Sequence, residues 1–175
     1  MATLYNLNPA SRVTIGTLGE PGSRTFFLQG GQGTESLSLI IEKTQAVALS
    51  GAISELLGEL ENRFELPPVR PDRVSNSDLE LAMPVDARFR VGQIGIGYDE
   101  DEDKVVIVAQ ALTDEEEDED PDVARFWISR DQAAALGDHA IEVAAQGRPL
   151  CPLCGQPMEA DGHFCPRTNG HGNYQ

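Results

Sequence analysis

Two stretches of this chain match residue for residue at a constant offset of 87: Lys43-Thr44-Gln45-Ala46-Val47-Ala48-Leu49 against Arg130-Asp131-Gln132-Ala133-Ala134-Ala135-Leu136. Each stands where an extended, alternating segment gives way to a helical pattern. The match defines two units of similar order, and a chain that repeats such a unit must find a buried face for each sheet and each helix twice. In the first unit, Arg12 to Gly19 and Arg24 to Gln29 read as a hairpin around Glu20-Pro21-Gly22-Ser23, with Ser36 to Glu42 as a third strand. In the second, Phe89 to Tyr98 and Lys104 to Leu112 form a hairpin around an acidic run, and Ala124 to Ile128 is the third strand.

A helix follows each trio. Leu49, Ile53, Leu56, Leu57 and Leu60 make one apolar stripe at helical spacing, and Ala133, Leu136, Ala140, Ile141 and Ala144 make the other. The second helix has a start signal in Ser129 with Gln132 three residues on, a capping box, and a stop signal in Gly147. Between the units, Pro67, Pro68, Pro71 and Pro84 forbid a regular helix and favour an extended connector wrapped over the surface, with Leu79 to Val85 as an edge strand. The expected fold is therefore α+β: a duplicated body over residues 1–147, with repeat units at about 10–62 and 88–147 and a connector at 63–87, followed by a separate module at 148–175.

That module carries the clearest chemistry. Cys151-Pro-Leu-Cys154-Gly places two thiolates on one tight turn, where both sulfurs can converge on a single ion at about 2.3 Å. Gly162-His163-Phe-Cys165-Pro adds a third thiolate and an imidazole. The fourth ligand is His163 or His171; the first mirrors the Cys151 knuckle, and the second lies near the end of the sequence. A segment whose only sizeable apolar groups are Leu153, Met158, Phe164 and Tyr174 cannot bury a core alone, so its order requires the metal. Three thiolates and one imidazole close the coordination sphere of Zn2+, leaving no position for a reactive water, which makes the zinc structural.

Composition narrows the function. Of 175 residues, 40% are hydrophobic and 24% charged, as in ordinary soluble domains, and the net charge is -16. A chain this acidic repels phosphate backbones, so nucleic acid is disfavoured as a partner. No stretch has the length and apolarity of a membrane span, and Met1 to Ala10 lacks the basic and apolar regions of a signal peptide. All three cysteines fall between 151 and 165, which suits metal binding in a reducing compartment better than disulfides. The expected location is cytoplasmic, with another protein as partner.

Other features read as structural. The acidic runs Asp99 to Asp103 and Asp114 to Asp120 lack the spaced ligands and central glycine of a calcium loop, and read as solvated loops. Gly30, Gly31 and Gly33 lie between two strands without a following Lys-Ser or Lys-Thr pair, unlike a phosphate loop. Gly92, Gly95 and Gly97 fall within a strand, marking a bulge or a close backbone approach. His139 is a lone helical histidine. Arg63, Arg70, Arg73, Arg88 and Arg90 gather around the connector, where neutralising nearby carboxylates is the expected role.

Val13-Thr-Ile-Gly, Arg24-Thr-Phe-Phe-Leu-Gln, Glu42-Lys-Thr-Gln, Gly95-Ile-Gly-Tyr-Asp-Glu-Asp-Glu-Asp, and the ending Cys151-Pro-Leu-Cys-Gly with Gly162-His-Phe-Cys-Pro-Arg-Thr-Asn-Gly together resemble an uncharacterised bacterial family, the domain of unknown function 3090 (DUF3090), over nearly the whole chain. The resemblance implies a bacterial, mainly actinobacterial, protein and a zinc-ribbon-like C-terminal module, but no activity. The expected function is that of a non-enzymatic zinc-binding adaptor for another protein. A single-stranded nucleic-acid binder stands second, and a hydrolase or transferase without a recognisable motif third.

Overall fold

The computed structural model describes residues 2–20, 22–114 and 120–146, together with the backbone pairing of two short strands near the C-terminus. The body is α+β, a seven-stranded sheet with two helices. In chain order the elements are β1 (Leu4–Leu7), β2 (Arg12–Leu18), β3 (Thr25–Gln32), β4 (Glu35–Ile41), α1 (Lys43–Arg63), β5 (Ala87–Asp99), β6 (Lys104–Ala111), β7 (Val123–Ile128) and α2 (Arg130–Ala145). The six longer strands and both helices stand where alternation and helical spacing placed them. The stop signal at Gly147 lies outside the described residues.

In the sheet the order is β1-β7-β6-β5-β4-β3-β2. The antiparallel meanders β2-β3-β4 and β5-β6-β7 are joined by a parallel pairing of β4 with β5, and β1 adds to β7 in parallel. This sheet is far from flat. Four strand spacings separate β7 from β3, about 19 Å in a planar sheet. Yet a Cβ on Gly30 of β3 would fall 2.5 Å from ring atoms of Phe126 on β7 and 3.2 Å from Leu7 on β1. The Ala10 N–H, just before β2, donates to the Trp127 carbonyl at 2.8 Å. The sheet therefore curls until its two ends nearly meet, and its concave face encloses the core.

Register places that core. Ile15 faces Leu28 and Leu28 faces Leu39 across the first meander, while Ile96, Ile107 and Phe126 form the corresponding row in the second. All but Ile96, which packs against the core half-buried, are completely buried. Each such large apolar side chain contributes about 1.5–3 kcal/mol. Ala46, Leu49 and Ile53 of α1 and Ala133, Leu136, Ala140 and Val143 of α2 complete the same cluster.

The helices make matching contacts at matching positions. Gln45 Oε1 accepts from the Glu42 N–H and Gln132 Oε1 from the Ser129 N–H, each at 2.8 Å, capping its own helix. The same two side chains reach across the body: Gln45 Nε2 donates to the Val91 and Gly92 carbonyls partway along β5, and Gln132 Nε2 to those of Ala10 and Ser11 just before β2. Where α1 and α2 cross, Ser50 Oγ donates to the Gly137 carbonyl at 2.7 Å, and these residues are themselves 87 apart in sequence. Gly137 is buried at this crossing, and a Cβ placed on it would stand 3.4 Å from Ile53, an ordinary contact distance.

Two expectations are corrected, and one strand is added. Leu79 to Val85 is not an edge strand. The connector instead forms 3-10 turns at Pro71–Arg73 and Asn76–Leu79 and then crosses the convex face of the first meander. Its partners there are side chains: Thr14 Oγ1 donates to the Leu79 carbonyl, and Gln29 pairs with both backbone groups of Ala82. Gly30 and Gly31 lie inside β3, not between strands, because Phe126 and the Arg12 side chain occupy the space that side chains there would need. The added strand is β1, four residues without a clear apolar alternation that pair in parallel with β7.

Candidate functional site

The sequence pointed to Cys151, Cys154, His163, Cys165 and His171. Cys151, Cys154, Cys165 and His171 lie outside the described residues, as does the side chain of His163. The described backbone there consists of β8 (His163–Phe164) and β9 (Asn173–Tyr174), paired antiparallel with His163 opposite Tyr174. Among the described residues no group of three or more His, Cys, Asp or Glu side chains could hold a metal. His139 lies on α2 with Nδ1 3.8 Å from a Glu142 carboxylate oxygen one turn on, a helix-surface contact.

Among the described residues, two clefts lie at corresponding places of the body. The first, of about 230 Å³, is polar and sits where the start of β2, the connector and the N-terminus of α2 meet; Ser11, Arg12, Arg73, Asp78, Ser129 and Asp131 are among its lining. Arg12 is positioned by strand register: its Nη2 donates to Gln29 Oε1 at 2.8 Å and to Ser36 Oγ at 2.9 Å, while its Nη1 is buried without a partner. Burial draws its pKa below the ordinary value, and Asp78 pulls the other way. Arg73 lies 3.9 Å from Asp131, whose other carboxylate oxygen accepts the Arg70 N–H at 2.6 Å. Ser129 Oγ accepts the Gln132 N–H at 3.0 Å. The two arginines thus face two aspartates, and the hydroxyl at the helix start is engaged as a cap, so the arrangement fastens the connector to α2. Sequence reasoning missed it because its members come from three distant segments; the one available signal was Gln29, a polar residue in the run Phe26-Phe27-Leu28.

The second cleft, of about 310 Å³, lies between the first turns of α1 and β5 and is mostly apolar, lined by Ala48, Leu49, Ala52, Gly92, Ile94, Gly95 and Ile96 with Gln45 at its end. Leu112 stands beside Gly92 and is 63% exposed.

Of the five arginines gathered around the connector, three pair with carboxylates: Arg70 with Asp72, Arg73 with Asp131, and Arg90 with Glu42 at 2.8 Å; Arg63 instead lies over the Phe64 ring. The first acidic run is only partly a solvated loop. Asp103, with φ 52°, turns back to accept from Tyr98 Oη at 2.6 Å and from Arg130 Nε at 2.9 Å, and Arg130 also donates to the Pro67 carbonyl. Burial alone would raise the Asp103 carboxyl, but the hydrogen bonds from Arg130 and Tyr98 outweigh it and the group titrates below the ordinary carboxylate range. Burial, then the bond to Asp103 and its negative charge, push the Tyr98 phenol up to about 12. A phenol raised in the folded state contributes stability that is complete below its unfolded value near 10 and is lost as pH rises toward the folded one. Alkaline titration followed by phenolate absorbance should therefore show one late ionisation near pH 12, and Tyr98→Phe should remove that step.

The architecture is that of a curled seven-stranded α+β body closed by two crossing helices, with its connector bound as part of the fold. By sequence the chain belongs to the family described as proteins of unknown function DUF3090, whose model matches residues 5–165. No curated protein and no solved structure matches it significantly. Among the described residues no helix is long and apolar enough to cross a membrane.

Proposed function

We propose that this protein is a non-enzymatic, cytoplasmic adaptor in which a duplicated α+β body presents a zinc-ordered C-terminal module to another protein. The carrying observation is the set Cys151, Cys154 and Cys165 with His163 or His171, four donors of the type and spacing that close a structural zinc site. The pairing of β8 with β9 fits this reading, since it folds the chain back on itself across the interval that contains Cys165 and His171. The equivalent reach of Gln45 and Gln132, and the crossing at Ser50 and Gly137, support duplication of the body. The polar cleft supports a structural role for the body's charged residues, because its arginines face carboxylates and its capping hydroxyl is engaged.

Cys151→Ala with Cys154→Ala should abolish zinc uptake, read by elemental analysis of the purified chain, and leave the melting of the body unchanged. Capture of the partner should be lost with the zinc. A double variant that still retains its partner would refute the adaptor role of the module.

A further inference from the structure

Among the described residues the body buries three polar side chains, Thr14, Gln29 and Ser38, and all three stand in one row. Register puts Thr14 of β2 opposite Gln29 of β3, and Gln29 opposite Ser38 of β4. The row lies on the convex face, beneath the second half of the connector. We propose that this row is a binding site for extended polypeptide main chain, that residues 74–86 of the connector are its built-in occupant, and that they lift from it as a unit while the sheet stays folded. The inference concerns the body alone and makes no use of the zinc module.

What the row holds is backbone. Thr14 Oγ1 donates to the Leu79 carbonyl at 2.6 Å, and the Gln29 amide pairs with both the N–H and the carbonyl of Ala82, at 2.7 and 3.1 Å. Main-chain groups recur in every sequence, so these contacts fix an extended course without demanding particular side chains. Ser38 steadies the amide by accepting from Gln29 Nε2 at 2.9 Å. Arg12 extends the polar surface: its side chain lies across Gly31, its partner in register, and its Nη2 donates to Gln29 Oε1 and Ser36 Oγ.

The occupant is held lightly. None of residues 74–86 is itself buried, and Met83 is 66% exposed. Its apolar hold is Leu81, which sits over Gly16, where a Cβ would fall 2.6 Å from Leu81 Cγ. The fit is also incomplete. Arg12 lines the polar cleft together with Val74 and Asp78 of the connector, yet its Nη1 is buried and no carboxylate, Asp78 included, reaches it. An enclosed charged donor without a partner opposes closure, and lifting the segment returns it to water. The row itself tolerates water, being made of hydroxyls and an amide, whereas the apolar row of Ile15, Leu28 and Leu39 on the concave face does not. Hinges stand at both ends: Arg130 and Asp131 hold the Pro67 carbonyl and the Arg70 N–H on one side, and β5 begins at Ala87 on the other.

Lifting is read by hydrogen exchange on the full wild-type chain. The Ala82 N–H, bound to Gln29, should exchange at least about a hundredfold faster than the Leu28 N–H in the middle of β3, at a rate that low urea leaves unchanged, as local opening requires. Exchange of Ala82 at the Leu28 rate would overturn the proposal. Recognition is read by fluorescence anisotropy, with a labelled synthetic peptide of residues 74–86 as the probe. Leu81→Gln weakens the built-in occupant and leaves the row intact. Because apparent affinity scales with the fraction of open molecules, this variant should bind the probe at least about tenfold more tightly than wild type does. Adding Thr14→Val, which removes the bond to the Leu79 carbonyl, should weaken that binding by at least about threefold. Equal binding by wild type and Leu81→Gln, or no loss on adding Thr14→Val, also overturns it. Should Leu81→Gln lose its native circular dichroism, the exchange rates of the wild-type chain decide alone.

Discussion

Gly30→Ala is expected to destabilise the body by about 3 kcal/mol, the upper range for forcing extra volume into a packed core. Alanine normally suits a strand better than glycine. Here the sign is reversed by Phe126, whose ring carbons would lie 2.5 Å from the new methyl, with Leu7 closing the space behind at 3.2 Å. Phe126 is fully buried and held by strands on either side of β7, so it has no free direction in which to yield. Urea denaturation of Gly30→Ala, Phe126→Leu and the double variant provides the check. Phe126→Leu should be destabilising alone, and in that background Gly30→Ala should cost much less, a coupling of about 1–2 kcal/mol. Strict additivity would mean that the two ends of the sheet do not meet where the curl places them.

Gln29→Leu should cost about 2–4 kcal/mol through the opposite error, loss of hydrogen bonds at nearly constant volume. Gln29 is fully buried on the convex face, and its amide acts like one residue of a neighbouring strand. Its oxygen accepts the Ala82 N–H at 2.7 Å, and its nitrogen donates to the Ala82 carbonyl at 3.1 Å and to Ser38 at 2.9 Å. The oxygen also receives Arg12. Leucine removes this mate from buried Ser38 and from both half-buried backbone groups of Ala82, while Arg12 keeps Ser36. Hydrogen exchange at Ala82 and its neighbours should rise well before global unfolding, because this side chain ties the connector to the sheet. Unchanged protection at Ala82 would show that Leu79 and Leu81 suffice to hold it.

What could be read from the sequence, and what could not, follows from the range of the forces involved. Six strands and both helices were legible because an amphipathic element writes its burial as a period, two or 3.6 residues long. The capping box at Ser129 was legible for the same local reason. By contrast β1 is four residues with an exposed Leu4 and only Leu7 buried, too short to show alternation; it is a strand because β7 offers it a partner. The connector was expected to wrap, and does, but its course is fixed by Gln29 and Thr14, which reach it from more than fifty residues away. The glycine-rich segment Gly30-Gly31 read as a loop because the reason for it, Phe126, is supplied by a distant strand. For the candidate metal ligands the evidence is local in another sense: type and spacing of donors are visible in the sequence, whereas the choice between His163 and His171 depends on geometry that spacing alone does not determine.

The parallel pairing of β1 with β7 has a consequence for biosynthesis. Leu4 finds its partner in Val123, and Leu7 in Phe126, so the first strand of the sheet to be synthesised waits for the last. Until then the exit-side product is an incomplete curl, with Gly30 lacking the ring that fills it and the Ala10 N–H lacking its carbonyl. Contacts of such long sequence separation slow folding and leave apolar strand edges open in the interval. A nascent chain arrested before Val123 should therefore stay sensitive to protease along its whole length, and become resistant in one step once β7 has emerged.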